Sequence, residues 1–180
     1  MHYKMVMALS FLACHTPYRL LMAAGWLLGN LYYLLIKRQR ELAIAQIMSA
    51  LHMTETEAKK TVRASFINLA RNVLEILYMP HLNRKNFRKY IEIDHLERME
   101  AALAEGKGVV VLTGHIGTWE WLSAAFSLNG MPVTAIAKSQ PNMQYTYALN
   151  DLRKTIDVEI FSRGTSELLA AARALRKGKL

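Results

Sequence analysis

The chain has 180 residues, 52% hydrophobic and 21% charged, with a net charge of +9. That composition excludes a disordered or collagen-like chain, and the length suits one ordinary domain plus an added segment. The single cysteine, Cys14, excludes an intramolecular disulfide framework and any multi-cysteine zinc site. It sits in an apolar stretch without basic neighbours and reads as inert. The charge is uneven: residues 1–36 carry +2, residues 37–91 carry +7, and residues 92–180 balance to zero. A basic segment directly after the most apolar part of the chain suits an anionic membrane. Nucleic acid, the other usual partner of basic protein, is disfavoured because few aromatics interleave with these cations.

Residues 20–36, LLMAAGWLLGNLYYLLI, form a run of 17 without charge. A spanning helix needs roughly 17–25 residues, so this run is at the short end. Trp26, Tyr32 and Tyr33 fit an interfacial belt, and Lys37, Arg38 and Arg40 put the following end in the cytoplasm. A cleaved signal peptide is the main rival, but Lys-Arg-Gln-Arg follows where a small-residue cleavage site would stand. Residues 5–14 are also apolar, and His15, Pro17 and Arg19 separate them from the longer run. They read as an interfacial helix or as part of one kinked helix. Gly25 and Gly29 form a small-xxx-small pair, which is more simply two glycines in an apolar helix than a dimer contact.

Helical signals follow. Thr54 with Glu57 makes a capping box. Val62, Phe66, Leu69, Val73 and Leu77 recur at spacings of three to four, which predicts one apolar helix face. Pro80 ends that helix. Residues 83–89 are basic and suit a membrane surface.

The period then changes. Residues 90–93 predict a short strand, and Asp94 caps a helix to about Glu105 with Leu96, Met99 and Leu103 on one face. Gly106 and Gly108 stop it. Residues 109–113, Val-Val-Val-Leu-Thr, predict a strand buried on both faces. After Gly114 a helix runs to about Leu128, closed by Asn129 and Gly130. Residues 133–137 and 158–161 predict two further strands with a helix over 142–155 between them, and Thr165 caps a last helix to about Lys177. Strands alternating with helices predict a mostly parallel sheet in an α/β fold. The organisation expected is an N-terminal membrane anchor over 1–36, a basic helical segment over 37–89 and an α/β core over 90–180. A helix followed by Gly178 should lead to another strand, so the core is expected to be incomplete and the chain a C-terminally truncated fragment.

The chemistry concentrates at Leu112-Thr113-Gly114-His115-Ile116-Gly117-Thr118-Trp119-Glu120. Five positions on one regular helix turn side chains apart by about 140°. His115 and Glu120 converge only if His115 sits in the turn before the helix and Glu120 in its first turns, with Gly114 and Gly117 supplying the backbone freedom. His115 then serves as a general base toward a hydroxyl, and Glu120 fixes the imidazole tautomer. Free N–H groups at the helix start suit a developing oxyanion. The substrate brings the nucleophile, so no catalytic serine is required. Spacing alone also fits a solvated or capping histidine. The remaining histidines have no comparable setting, and none forms a pair with metal-ligand spacing.

At these residues the chain resembles the lipid A biosynthesis acyltransferases, within the lysophospholipid acyltransferase superfamily. The resemblance runs from about Lys37 to the end and is most specific over residues 97–120, ERMEAALAEGKGVVVLTGHIGTWE, with its His-x4-Glu signature at His115 and Glu120. It implies a glycerolipid-acyltransferase-like fold. It implies acyl transfer from an acyl carrier protein or CoA thioester to a hydroxyl of a phosphorylated glycolipid on the cytoplasmic side of a bacterial inner membrane, without metal or other cofactor. It further implies that Lys138, Arg153 and Arg163 hold acceptor phosphates and that Gly117, Thr118 and Gly164 line the site. Thr118 stands where the family often has asparagine. Lys138 replaces a usual arginine and gives up the bidentate fork. The family's later strand with an Asp-Gln pair has no counterpart in these 180 residues. An acceptor from another phosphoglycolipid or lysophospholipid class, or a non-catalytic membrane-bound module, remains open at this stage.

Overall fold

The computed structural model describes residues 1–162 and 165–179. In chain order its elements are α1 (His2–His15), α2 (Tyr18–Leu35), α3 (Lys37–Leu51), α4 (Glu55–Tyr78), α5 (Leu96–Ala104), α6 (Trp119–Leu128), β1 (Thr134–Ala137), α7 (Met143–Lys154), β2 (Glu159–Ser162) and α8 (Thr165–Arg176). They pack as two units, one of residues 15–75 and one of residues 1–14 with 76–180. The residues predicted as an anchor are thus shared between the units.

In the helical unit, α2 presents one stripe to α4. Leu21, Gly25, Gly29 and Asn30 are buried, while Leu20, Leu27, Leu31 and Leu34 are exposed. The buried stripe is partly polar. Arg63 Nε donates to Asn30 Oδ1 at 2.7 Å, Asn30 Nδ2 donates to the Trp26 carbonyl at 2.8 Å, and Tyr18 Oη donates to Glu75 Oε1 at 2.6 Å. A Cβ added at Gly29 would lie 2.4 Å from Ile67 Cα, so the small-residue pair serves an intrachain helix contact.

Among the described residues no single helix is long and apolar enough to cross a membrane, which corrects the single crossing helix predicted over 20–36. Arg19, Asn30 and the three tyrosines of α2 lower its mean hydropathy. Its 18 residues span about 27 Å against a hydrocarbon thickness of about 30 Å. Only α2 and α3 together pass such a test, and they are bent by 92° at Ile36.

The core of this unit is Ile44, Ala58 and Val62, packed by Tyr33, Ile47, Met48 and Phe66. Leu69 and Val73, predicted on the same face as Val62, are about half exposed at 47% and 50%. The capping box forms as predicted. The Thr54 amide and hydroxyl donate to Glu57 Oε2 at 2.9 and 2.7 Å, and the Glu57 amide donates back to Thr54 Oγ1 at 3.4 Å. Those donors hold the Glu57 carboxyl below its usual range.

In the second unit β1 and β2 pair in parallel, with Thr134 opposite Glu159 and Ala137 opposite Ser162, joined by α7. This is the βαβ unit predicted, within a residue or two of the expected bounds. Asn142 caps α7 by accepting from the Gln144 amide at 3.0 Å. α6 supplies the apolar cover through Trp121, Ala124, Ala125, Phe126 and Leu128, all buried, and its Ser127 hydroxyl donates to the Ile156 carbonyl. The N-terminal helix belongs to this unit. Tyr3 Oη donates to Asp151 Oδ2 at 2.8 Å, the Tyr3 amide donates to Gln144 Oε1 at 3.2 Å, and Ser10 Oγ donates to the Leu77 carbonyl at 2.6 Å. With Lys154, Tyr3 holds Asp151 below the ordinary carboxylate range.

Three predicted features differ. Residues 90–93 form no strand; they follow a 3₁₀ turn, Phe87–Lys89, anchored by the buried Phe87. The N-cap of α5 is His95 in the left-handed region, one residue after Asp94, without a side-chain cap. Residues 109–113 form no strand, with Val110 79% and Leu112 97% exposed. A β-branched apolar run becomes a strand only where a neighbour takes its backbone groups. Here a cavity of about 470 Å3 separates it from β1. Among the described residues, the Val109 amide reaches only the Lys179 carbonyl, at 3.2 Å.

Gly29→Ala is expected to destabilise the helical unit by about 1–3 kcal/mol, the usual range for overpacking a tight contact. Gly25→Ala should do less, because its nearest obstacle, 2.8 Å away, is the flexible Arg71 Cγ. Denaturant unfolding in detergent, followed by far-UV circular dichroism, compares the two.

Candidate active site

The turn between residue 113 and α6 decides where His115 and Glu120 go. Gly117 has φ +57, in the left-handed region, whereas Gly114 does not. Thr118 is the N-cap of α6 and Glu120 lies in its first turn. His115 therefore precedes the helix and Glu120 begins it, the one arrangement in which five positions of spacing allow both to serve one site. Of the donors at the helix start, the Trp119 amide bonds the Gly117 carbonyl at 3.1 Å and the Trp121 amide bonds that of Thr118 at 2.9 Å.

Both side chains line a cavity of about 500 Å3, together with Thr113, Trp119, Lys138 and Arg153. Gly117 and Thr118 lie on the turn and not in that wall. His115 is exposed, its ring 4.9 Å from that of Trp119 and tilted by 54°. Glu120 is engaged elsewhere. Arg153 Nε donates to its Oε2 at 2.8 Å and Arg153 Nη2 to its Oε1 at 2.5 Å, with the side chains 13% (Arg153) and 11% (Glu120) exposed. Arg153 Nη1 also donates to Asn150 Oδ1 at 3.2 Å. The imidazole–carboxylate hydrogen bond expected from the sequence is not formed in this structure.

Lys138 follows β1, is exposed, and makes no hydrogen bond or ion pair among the described residues. Arg163 and Gly164, also expected at the site, lie outside the described residues. Among the described residues no group of three His, Cys, Asp or Glu side chains is gathered to hold a metal.

The sequence reading missed two features. Trp119 is the aromatic against the imidazole, and its position four residues after His115 was the available signal. The Glu120–Arg153 pair joins residues 33 apart, a separation at which no local spacing argument operates.

A second, largely apolar cavity of about 470 Å3 adjoins the first. The two share Thr113, Leu122, Ser123, Ala135 and Ile136, and the second adds Val109, Val111, Phe126, Val133, Ala171 and Leu175. Cations thus line one cavity and mostly apolar side chains the next.

The family model for the bacterial lipid A biosynthesis acyltransferase matches residues 2–180. The chain belongs to that family. No curated protein sequence matches it. The family match covers the helical unit and α1 as well as the sheet, and it assigns the chain to acyltransferases, which move an acyl group from a donor to a lipid acceptor.

A Cβ at residue 117 would meet nothing within 4 Å, so substitution there acts through the backbone alone. Gly117→Ala is expected to strain the turn by about 1–2 kcal/mol and to reduce turnover. Gly117→Asn, which tolerates the left-handed region, should retain more activity. Acyl transfer measured for both variants beside their thermal stability checks this.

Proposed function

We propose that this protein transfers a fatty acyl chain from an acyl carrier protein or CoA thioester to a hydroxyl of a lipid A precursor, at the cytoplasmic face of a bacterial inner membrane. The observation that carries the reading is one cavity lined by His115, Glu120, Lys138 and Arg153 and adjoining an apolar one. Family membership supports the acyl transfer itself.

In this reading neutral His115 takes the proton of the acceptor hydroxyl while its oxygen attacks the thioester carbonyl. The tetrahedral intermediate collapses, the carbon–sulfur bond breaks, and the thiolate leaves with the proton from the imidazolium. Glu120 orients the imidazole and offsets its charge during the step. Lys138 and Arg153, with Arg163 on the resemblance alone, hold the acceptor phosphates. The apolar cavity takes acyl chain. The exposed leucines of α2 and the exposed Leu9, Phe11 and Leu12 of α1 supply apolar surface to a bilayer, and the basic excess over residues 37–91 suits its anionic headgroups. An acceptor from another class of phosphoglycolipid uses the same groups and is resolved by the choice of acceptor in the assay.

Membranes carrying the protein are incubated with acyl-carrier-protein thioester and a tetra-acylated lipid A precursor. His115→Ala and Glu120→Ala are each expected to slow transfer by about 10²–10⁴-fold. Unchanged turnover in both would discard the mechanism. Ala171→Phe, which fills only the apolar cavity, is expected to shift the preferred donor toward shorter chains. Competition between donors of different length, analysed by mass spectrometry of the product, reads that shift.

A further inference from the structure

We propose that Arg153 is a switch that withholds Glu120 from His115 until an acceptor phosphate is bound. The inference rests on the acyl transfer reading above and names how that site is controlled.

Three observations meet here. Glu120 is held at two points by Arg153, with both side chains nearly nine-tenths buried. His115 has no share in that pair and lies exposed against Trp119. Lys138, an exposed cation, lines the same cavity.

A buried carboxylate is not released into isolation, because an unpartnered charge at such depth is strongly destabilising. Arg153 can leave Glu120 only by an exchange in which both ions find new partners. A phosphate oxyanion accepts the guanidinium fork as well as a carboxylate does. An imidazolium serves the freed carboxylate, and His115 becomes one when it accepts a proton. Phosphate binding and the pairing of Glu120 with His115 are thus the same event. Lys138 draws the phosphate in, and Arg153 then changes partners. Arg153 in this scheme touches the acceptor at its phosphate and acts on the reacting atoms through Glu120.

The consequence is protection of the donor. With the acceptor absent, water is the only nucleophile at the thioester. A His115 without its carboxylate lacks the partner that orients the ring and offsets the charge it gains on taking a proton from that water. The acyl group therefore waits for its lipid and is not lost by hydrolysis to free acid and thiol.

The test uses the full chain in detergent and follows thiol release from the acyl donor without acceptor, with inorganic phosphate as the probe. Wild-type hydrolysis is expected to be slow and to rise roughly tenfold on saturation with phosphate, within the range of ordinary couplings between bound groups. Arg153→Gln should hydrolyse the donor faster than wild type without phosphate and ignore added phosphate, while its transfer reaction shows a raised KM for the phosphorylated acceptor. Arg153→Lys, which keeps the charge without the fork, should fall between them. Glu120→Gln should remove the phosphate response.

Wild-type hydrolysis that is indifferent to phosphate overturns the switch, and this arm needs no folded variant. Parallel loss of hydrolysis and transfer in a folded Arg153→Gln at unchanged KM overturns it too, since that marks a structural brace. Either result, with transfer still dependent on His115, leaves the acyl transfer reading standing. Transfer indifferent to His115→Ala removes that reading itself.

Discussion

The site depends on one buried ion pair. Arg153 closes the last turn of α7 and Glu120 opens the first turn of α6, so their two hydrogen bonds join the crossover helix of the βαβ unit to the turn that carries His115. Neither ion is tolerable alone at that depth. A change of partner by either ion therefore requires a new partner for the other. The fork geometry also makes Arg153 a poor candidate for replacement by lysine, which keeps the charge but offers a single point of contact.

How much of this the sequence discloses follows from the range over which each signal acts. The capping box at Thr54 and Glu57, the end of α4 before Pro80 and the β1–α7–β2 alternation were all legible, because each is set by residues within a few positions of one another. The turn that separates His115 from Glu120 was legible for the same reason: Gly117 supplies the conformation the spacing requires. The partner of Glu120 was not, since Arg153 reaches it only through the packing of α6 and α7. Residues 109–113 mark the opposite limit. Their composition is that of a doubly covered strand, but pairing is a property of two segments, and β1 lies across a cavity from this one.

α2 illustrates how hydropathy misleads when a helix has two kinds of neighbour. Its leucines and aromatics give an apolar run, and the run was read as a crossing helix. One stripe instead carries Gly29, against Ile67, and Asn30, bonded by Arg63. Asn30 is buried because it accepts from Arg63 and donates within its own helix, which removes the penalty for an unpartnered amide. The opposite stripe stays exposed and apolar. A helix packed on one side and greasy on the other is suited to lying at an interface, which asks for apolar area on one face and no fixed length.

The excess positive charge is shared by both units. The residues from 92 onward carry no net charge, but the unit that holds the candidate site also includes Lys4, Arg84, Lys85, Arg88 and Lys89 and is basic as a whole. On the acyl transfer reading, recognition of an acceptor phosphate rests on a few placed groups, Lys138 in the open and Arg153 bound to Glu120. The excess of +7 over residues 37–91 acts instead at the range of a Debye length, about 8 Å at physiological salt. On the same reading it gathers anionic headgroups without regard to their identity. Attraction that is general and recognition that is local then respond differently to salt: screening weakens the first well before it reaches a pair that is nearly nine-tenths buried. On the acyl transfer reading, raising ionic strength should thin the supply of lipid to the site while leaving the chemistry at His115 intact.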